Sequence, residues 1–196
     1  MDDYTLLGPI RHLQIQREPL RIGVRPDRVY GTGPLASVSA LVLSPEGVIA
    51  KIDAGWVVDL HHSAHPAIAQ PNLDRLLSVG FTSHYAAMAE RFGSATVGDA
   101  GENLIVETGT VITEDQIAGG LLIERPGGNI ELHGPAVAEP CVPFTRFRLG
   151  DPEADLEQVE PNREFLRRGM RGYVMGLGNL AGAFEVEVGD LVYARS

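Results

Sequence analysis

The stretch Ser37-Val38-Ser39-Ala40-Leu41-Val42-Leu43-Ser44-Pro45-Glu46-Gly47-Val48-Ile49-Ala50-Lys51-Ile52 decides the fold class. Aliphatic and β-branched residues fill Ser37 to Leu43 and Val48 to Ile52. Ser44 to Gly47 carries turn chemistry, so the segment reads as a β-hairpin. The same grammar recurs downstream. Leu121 to Glu124 and Ile130 to His133 flank Arg125-Pro126-Gly127-Gly128-Asn129, a second hairpin. Tyr173 to Leu177 and Ala183 to Val188 follow, and Gly189-Asp190 turns into Leu191 to Ala194. The 23 Gly and 13 Pro supply the many turns these short runs need.

Two helical stretches interrupt the strands. Asn72 is placed to cap a helix running to about Phe92, with Leu73, Leu76, Leu77, Tyr85, Met88 and Phe92 on one stripe and Gly93 ending it. Gly80 weakens its middle. Asp151-Pro152 opens a second helix, a cap followed by proline at the first helical position; Pro161 breaks or restarts it, and Asn162 caps a continuation through Arg168. The expected fold is mainly β with helical insertions (α+β), a closed, largely antiparallel β-barrel, because closure removes exposed strand edges. With no internal repeat and no low-complexity linker, residues 1–196 form one domain.

Composition narrows the function. The chain is 44% hydrophobic and 21% charged, an ordinary globular balance. A formal net charge of -10 argues against nucleic acid as partner, since phosphate contacts need clustered cations. Lys51 is the one lysine; every other cation is arginine, the better fork for phosphate or carboxylate, although genomic composition explains the same bias. No apolar run approaches a membrane span. The acidic opening Met1-Asp2-Asp3-Tyr4 lacks the basic region of a signal peptide, so a reducing cytoplasm is expected.

Cys141, the single cysteine, lies in Glu139-Pro140-Cys141-Val142-Pro143. Its solitude excludes an internal disulfide, a self-contained iron–sulfur cluster and a multi-cysteine zinc site. The prolines keep it out of a helix interior. A lone thiol on such a segment suits a ligand, a sulfur carrier or a small buried hydrophobe. Around it stand further candidates. Asp59-Leu60-His61-His62-Ser63-Ala64-His65 is dense in imidazoles, yet adjacent His61 and His62 oppose each other if extended, so one facing a pocket is favoured over a three-histidine metal site. Gly98-Asp99-Ala100-Gly101-Glu102-Asn103-Leu104 offers a tight backbone turn at Gly101, an acceptor in Glu102 and an amide in Asn103. If Phe144 to Leu149 is a strand, Arg146 and Arg148 share a face, and parity puts Cys141 on the other. Of Arg167, Arg168 and Arg171, the first two suit a helix C-terminus, leaving Arg171 as the ligand candidate. Gly31-Thr32-Gly33-Pro34 is no dinucleotide fingerprint.

In order, Asp59-Leu60-His61, Gly101-Glu102-Asn103-Leu104, Pro140-Cys141, Arg171-Gly172-Tyr173 and Val188-Gly189-Asp190 resemble the motifs of the MOSC domain, named after the C-terminal domain of molybdenum cofactor sulfurases. The likeness runs from about residue 59 to 194, and the length suits free-standing bacterial members. Val58 stands where the family carries glycine, and the segment after His62 departs from its Gly-rich run.

The resemblance implies a MOSC-type barrel around a molybdenum–molybdopterin cofactor (Moco) or a sulfur cargo, with molybdenum ion binding and pyridoxal phosphate binding as associated properties. Cys141 matches the family's cysteine, a molybdenum ligand in the reductases and a proposed sulfur carrier in the sulfurases. Asn103 matches a cofactor-contacting position, and Gly101, Glu102, His61 and Arg171 match motif positions; Arg171 or the Arg146/Arg148 pair would hold the pterin phosphate. Three functions stay open. One is reduction of a small N-hydroxylated substrate, with electrons from a separate reductase. A second is carriage of persulfide or cofactor, with a cysteine desulfurase as partner. The third is a cofactor-free binding module. Neither nucleic acid nor membrane is an expected partner.

Overall fold

The computed structural model describes residues 3–195. Met1, Asp2 and Ser196, the outer ends of the expected domain and the first residues of the acidic opening, lie outside the described residues.

The chain begins with a long strand, β1 (Tyr4–Gln16), followed by the two-residue pair β2 (Arg21–Ile22) and β3 (Val29–Tyr30). Next come β4 (Leu35–Val38), β5 (Ala40–Ser44), β6 (Gly47–Ile52) and β7 (Gly55–Val58). A 3₁₀ turn at Leu73–Arg75 leads to β8 (Leu77–Phe81), α1 (Thr82–Phe92) and β9 (Leu104–Val106). After α2 (Glu114–Ile117) come β10 (Leu121–Glu124), β11 (Ile130–Val137), α3 (Val142–Leu149) and α4 (Leu156–Phe165). A π-helical turn (Leu166–Met170) delivers the chain to β12 (Tyr173–Gly176), β13 (Phe184–Glu187) and β14 (Leu191–Arg195).

The barrel runs β14-β10-β11-β12-β8-β9-β1 and closes where β1 pairs back onto β14. β1 serves three partners in turn: β14 through Tyr4 to Pro9, β9 through Ile10 to Leu13, and β4 through Leu13 to Gln16. Register shifts between Leu6 and Gly8 and between Ile10 and His12 let one strand bend around the barrel. Among the described residues every strand pairing but one is antiparallel; β8 and β9 are parallel, joined by a crossover that includes α1. The expected antiparallel barrel is therefore a closed mixed barrel of MOSC-type topology.

A second sheet, β13-β5-β6-β7, contains the hairpin read first in the sequence, with Ser44 opposite Gly47. Alternate residues of β5 and β6 (Leu41, Leu43, Val48, Ala50) join Ile10, Leu13, Val79 and Phe81 in one apolar core. A smaller core of Tyr85, Met88, Ile105, Phe144, Leu166 and Met170 lies under α1, α3 and the π-helical turn. No helix among the described residues is long and apolar enough to cross a membrane.

Three local expectations change. The helix expected from Asn72 to Phe92 divides: Asn72 caps only the 3₁₀ turn, accepting from the Asp74 N–H at 3.1 Å, and Leu77 to Phe81 is strand. Pairing on both sides, with β12 and β9, overrides the helical spacing of the leucines. Phe144 to Leu149 is helix rather than strand, with Cys141 as its extended N-cap, Pro143 in its first turn and Gly150 closing it in the left-handed region. The second helix starts at Asp155, whose capping box with Gln158 outcompetes Asp151-Pro152; it passes through Pro161, and Asn162 is not a cap. Gly189-Asp190 turns into β14 as expected, joining strands of different sheets, since β13 pairs with β5 and β14 with β1 and β10.

Candidate functional site

Asp59 anchors the site from behind. It is fully buried, and both carboxylate oxygens accept two hydrogen bonds. Oδ2 takes the Gln16 N–H and the Asn103 amide, each at 2.8 Å. Oδ1 takes the His61 N–H at 2.9 Å and lies 3.1 Å from His61 Nδ1. One side chain thus ties the end of β1, the His61 turn and the Asn103 loop together. Asn103 is equally committed: its Oδ1 accepts from the Ser78 N–H and hydroxyl at 3.0 and 2.9 Å, and its Nδ2 donates to Asp59 and, at 3.4 Å, to the Gln14 carbonyl. With that side chain committed to these bonds, Asn103 braces the site from behind the cavity wall.

In front of this frame opens a cavity of about 440 Å³. The segment after β1 supplies Leu20, Arg21 and Tyr30; the His61 turn supplies Leu60 and His61; Arg75 and Ser78 come from the approach to and start of β8. Gly101 and Glu102 form part of the wall, as do Ala138 to Cys141, and Arg163 and Arg171 complete it. Four arginines and one thiol therefore converge in a protein of net charge -10.

Cys141 is half-buried, and its sulfur caps no backbone N–H of α3. The residues before it are clamped: Arg171 donates from Nη1 to the Glu139 carbonyl at 2.7 Å, and Arg163 from Nε to the Pro140 carbonyl at 3.0 Å. The Arg171 guanidinium also lies 5.0 Å from the Phe144 ring centre, a cation–π contact that holds its plane. Its Nε is buried and has no partner among the described residues.

Glu102 is the other incompletely paired group. Its carboxyl is buried; Oε2 accepts from the Tyr85 hydroxyl at 2.5 Å, while Oε1 has no partner among the described residues. Glycines make the room: a Cβ on Gly80 would stand 2.5 Å from Oε1, and one on Gly172 would stand 3.2 Å from it. Burial raises the carboxyl to a pKa of about 7, against the opposing pull of the Tyr85 hydrogen bond and the Arg171 charge. Tyr85 is driven well above the ordinary phenol range by its own burial and by Glu102. Burial likewise raises Tyr30, whose hydroxyl donates to the Asp99 carbonyl at 2.8 Å.

Of the residues singled out in the sequence, Cys141, Gly101, Glu102, His61 and Arg171 meet at the cavity. Arg146 and Arg148 do not. Arg146 donates to the Ala154 carbonyl at 2.9 Å, and Arg148 pairs with Asp99 at 3.2 Å beneath Phe147. The helical course of this segment carries both away from the opening. His62 and His65 are buried and accept the N–H groups of Ala64 and Ala67, so neither joins His61. Among the described residues no three His, Cys, Asp or Glu side chains are placed to hold a metal ion. Lys51, on β6 opposite Trp56, is exposed and outside the cavity, which therefore offers no lysine for a Schiff base with pyridoxal phosphate. Arg21, Arg75, Arg163, Tyr30 and Tyr85 were not legible as site residues. They are scattered over two short strands, a 3₁₀ turn and two helices, and only the arginine-for-lysine bias pointed to the three arginines.

No protein-family model and no curated protein matches the chain. Solved structures do. The YuaD protein of Bacillus subtilis is similar over 98% of this chain and 98% of its own, at 14% identity and a TM-score of 0.61. YiiM from Geobacillus stearothermophilus is similar over 94% of this chain and 74% of its own, at 15% identity and a TM-score of 0.52. At these identities the likeness is one of fold: the closed mixed barrel with helical insertions is shared along nearly the whole chain.

Proposed function

We propose that the cavity binds a phosphate-bearing molybdenum–pterin cofactor with Cys141 as its protein ligand, in a two-electron reductase of N-hydroxylated compounds. One observation carries this: half-buried Cys141 lines a cavity of about 440 Å³ together with four arginines, and Glu102 and Arg171 in the same wall each keep a buried polar atom without a partner among the described residues. The donor set fits the cofactor. A single thiolate cannot hold a metal alone, so the remaining ligands must arrive with the organic part, and a soft sulfur suits molybdenum. Arginine forks suit the phosphate. When bound, the cofactor supplies the redox chemistry.

The chain's own residues bind and orient. Arg163 and Arg171 hold the peptides before Cys141 and direct the sulfur. Arg21 and Arg75 add positive charge to the same cavity. Reduction of R–NHOH to R–NH₂ and water consumes two electrons and two protons. A separate reductase must supply the electrons, since one cysteine builds no iron–sulfur relay.

The test is Cys141→Ala in cofactor-loaded protein, followed by metal analysis, fluorescence of the released, oxidised pterin and a reductase assay. Loss of both molybdenum and activity is expected. Retention of both overturns the ligand role. A second reading, sulfur carriage, draws on the same free sulfur: with no second thiol in the chain, a persulfide on Cys141 has no internal resolving partner. A stable gain of one sulfur atom on Cys141 after incubation with a cysteine desulfurase, without bound molybdenum, would favour it.

A further inference from the structure

Glu102 has a role that anion binding by arginines alone does not explain. A buried carboxylate in the wall of a cavity lined by four arginines weakens an anion site, yet the fold builds a niche for this one. Gly80 and Gly172 leave space at its free oxygen, and a Tyr85 hydroxyl steadies the other. Tyr85 receives the Ala100 N–H at 3.3 Å and donates to Oε2, so a proton on the carboxyl belongs on Oε1, the oxygen without a partner. The neighbouring Arg171 Nε is also buried and unpartnered, and the two are not joined to each other.

We propose that the cavity takes its anion together with a proton, which resides on Oε1 of Glu102. Protonated, Glu102 no longer repels the ligand, and the charge of Arg171 is left uncompensated. Ionised, it opposes the ligand and competes for Arg171. The charged and titratable groups that act on it are Tyr85 from α1, Asp99 from the preceding loop, Arg171 after the π-helical turn and Tyr30 from β3; β8 presents only Gly80. The carboxyl's pKa of about 7 puts the change in the neutral range. His61, Glu139 and Cys141 also line the cavity. The inference rests on the anion-binding part of the proposed function and on neither molybdenum nor the thiol.

Calorimetric titration with sulfate, which does not itself titrate near neutrality, separates the two ideas. In the unloaded protein at pH 6 and pH 8, in paired buffers of different ionisation enthalpy, binding at pH 8 is expected to be about tenfold weaker and to take up close to one proton. Glu102→Gln should bind equally at both pH values without proton uptake. Tyr85→Phe removes a hydrogen bond that favours the ionised form, so the loss of affinity should move to higher pH. Equal pH dependence in wild type and Glu102→Gln would assign the proton to another group and overturn the inference. Binding without proton uptake in the wild type would also overturn it, leaving the anion cavity intact. No sulfate binding at pH 6 would sink both readings.

Discussion

At the scale of single residues, Asp59 holds more of the site than any side chain facing the cavity. A carboxylate is acceptor-only, and this one receives donors on both oxygens: the Gln16 N–H and the Asn103 amide on one, the His61 N–H on the other, with His61 Nδ1 beside the latter. Asp59→Asn keeps the shape but turns one of those oxygens into an NH₂. Whichever way the amide rotates, buried donors then face a donor. The expected cost is about 3 kcal/mol, the scale of buried polar groups left without partners. It should appear as a lower denaturation midpoint with an unchanged slope. A change below about 0.5 kcal/mol, the scatter of ordinary surface substitutions, would show that the network carries no stability. The residue type was legible in the sequence as part of a motif, but its partners were not. Gln16 and Asn103 lie 43 and 44 residues away along the chain, and nothing in local spacing brings them together.

At the scale of elements, hairpins were read correctly where turn and alternation agree, as in β5–β6 and β10–β11. The reading failed where two periods fit one segment. Leu73, Leu76, Leu77 and Tyr85 suit a helix stripe, while Leu77, Val79 and Phe81 alternate as a strand. Pairing to distant β9 and β12 decides between them. Gly80 looked like a weak point in a helix; it is instead the strand residue that admits Glu102. Gly80→Ala would place a methyl 2.5 Å from Glu102 Oε1, so the carboxyl or the strand must shift. A destabilisation of about 1–3 kcal/mol is expected, the usual cost of overpacking. In the same variant, sulfate affinity should fall, because Glu102 can move only by disturbing Tyr85 or Arg171. Unchanged stability and affinity would show that the niche is loose. α3 was misread for a related reason: Phe144 and Phe147 sit at helical spacing, but Arg146 and Arg148 invite an alternating reading. Pro143 in the first turn and Gly150 beyond the last were the better markers.

At the scale of the whole molecule, two buried titratable groups set opposing pH dependences. His84, buried beside Phe81 and Tyr173, is lowered from 6.5 to about 4 by burial. It stays neutral in the fold while the unfolded chain takes up a proton, so stability is lost as pH falls from 6.5 towards 4. Glu102 is raised from 4.5 to about 7. It keeps its proton in the fold while the unfolded chain releases one, so stability is lost as pH rises from 4.5 towards 7. Each contributes a slope of about 1.4 kcal/mol per pH unit within its window. Between pH 4.5 and 6.5 the two slopes cancel, which gives the native barrel a plateau in mildly acid solution from these groups. Glu102→Gln removes one of them. The stability of that variant relative to wild type should therefore climb by about 1.4 kcal/mol per unit from pH 4.5 to 7 and level off above, reaching a total near 3 kcal/mol. Urea denaturation of both proteins across this range measures the difference directly, with contributions from all other groups subtracted out. A difference that does not change with pH would mean that Glu102 ionises alike in the folded and unfolded chain. A gain of the expected size would mark a residue that the fold tolerates at a cost in stability, as expected of a group retained for binding rather than for packing.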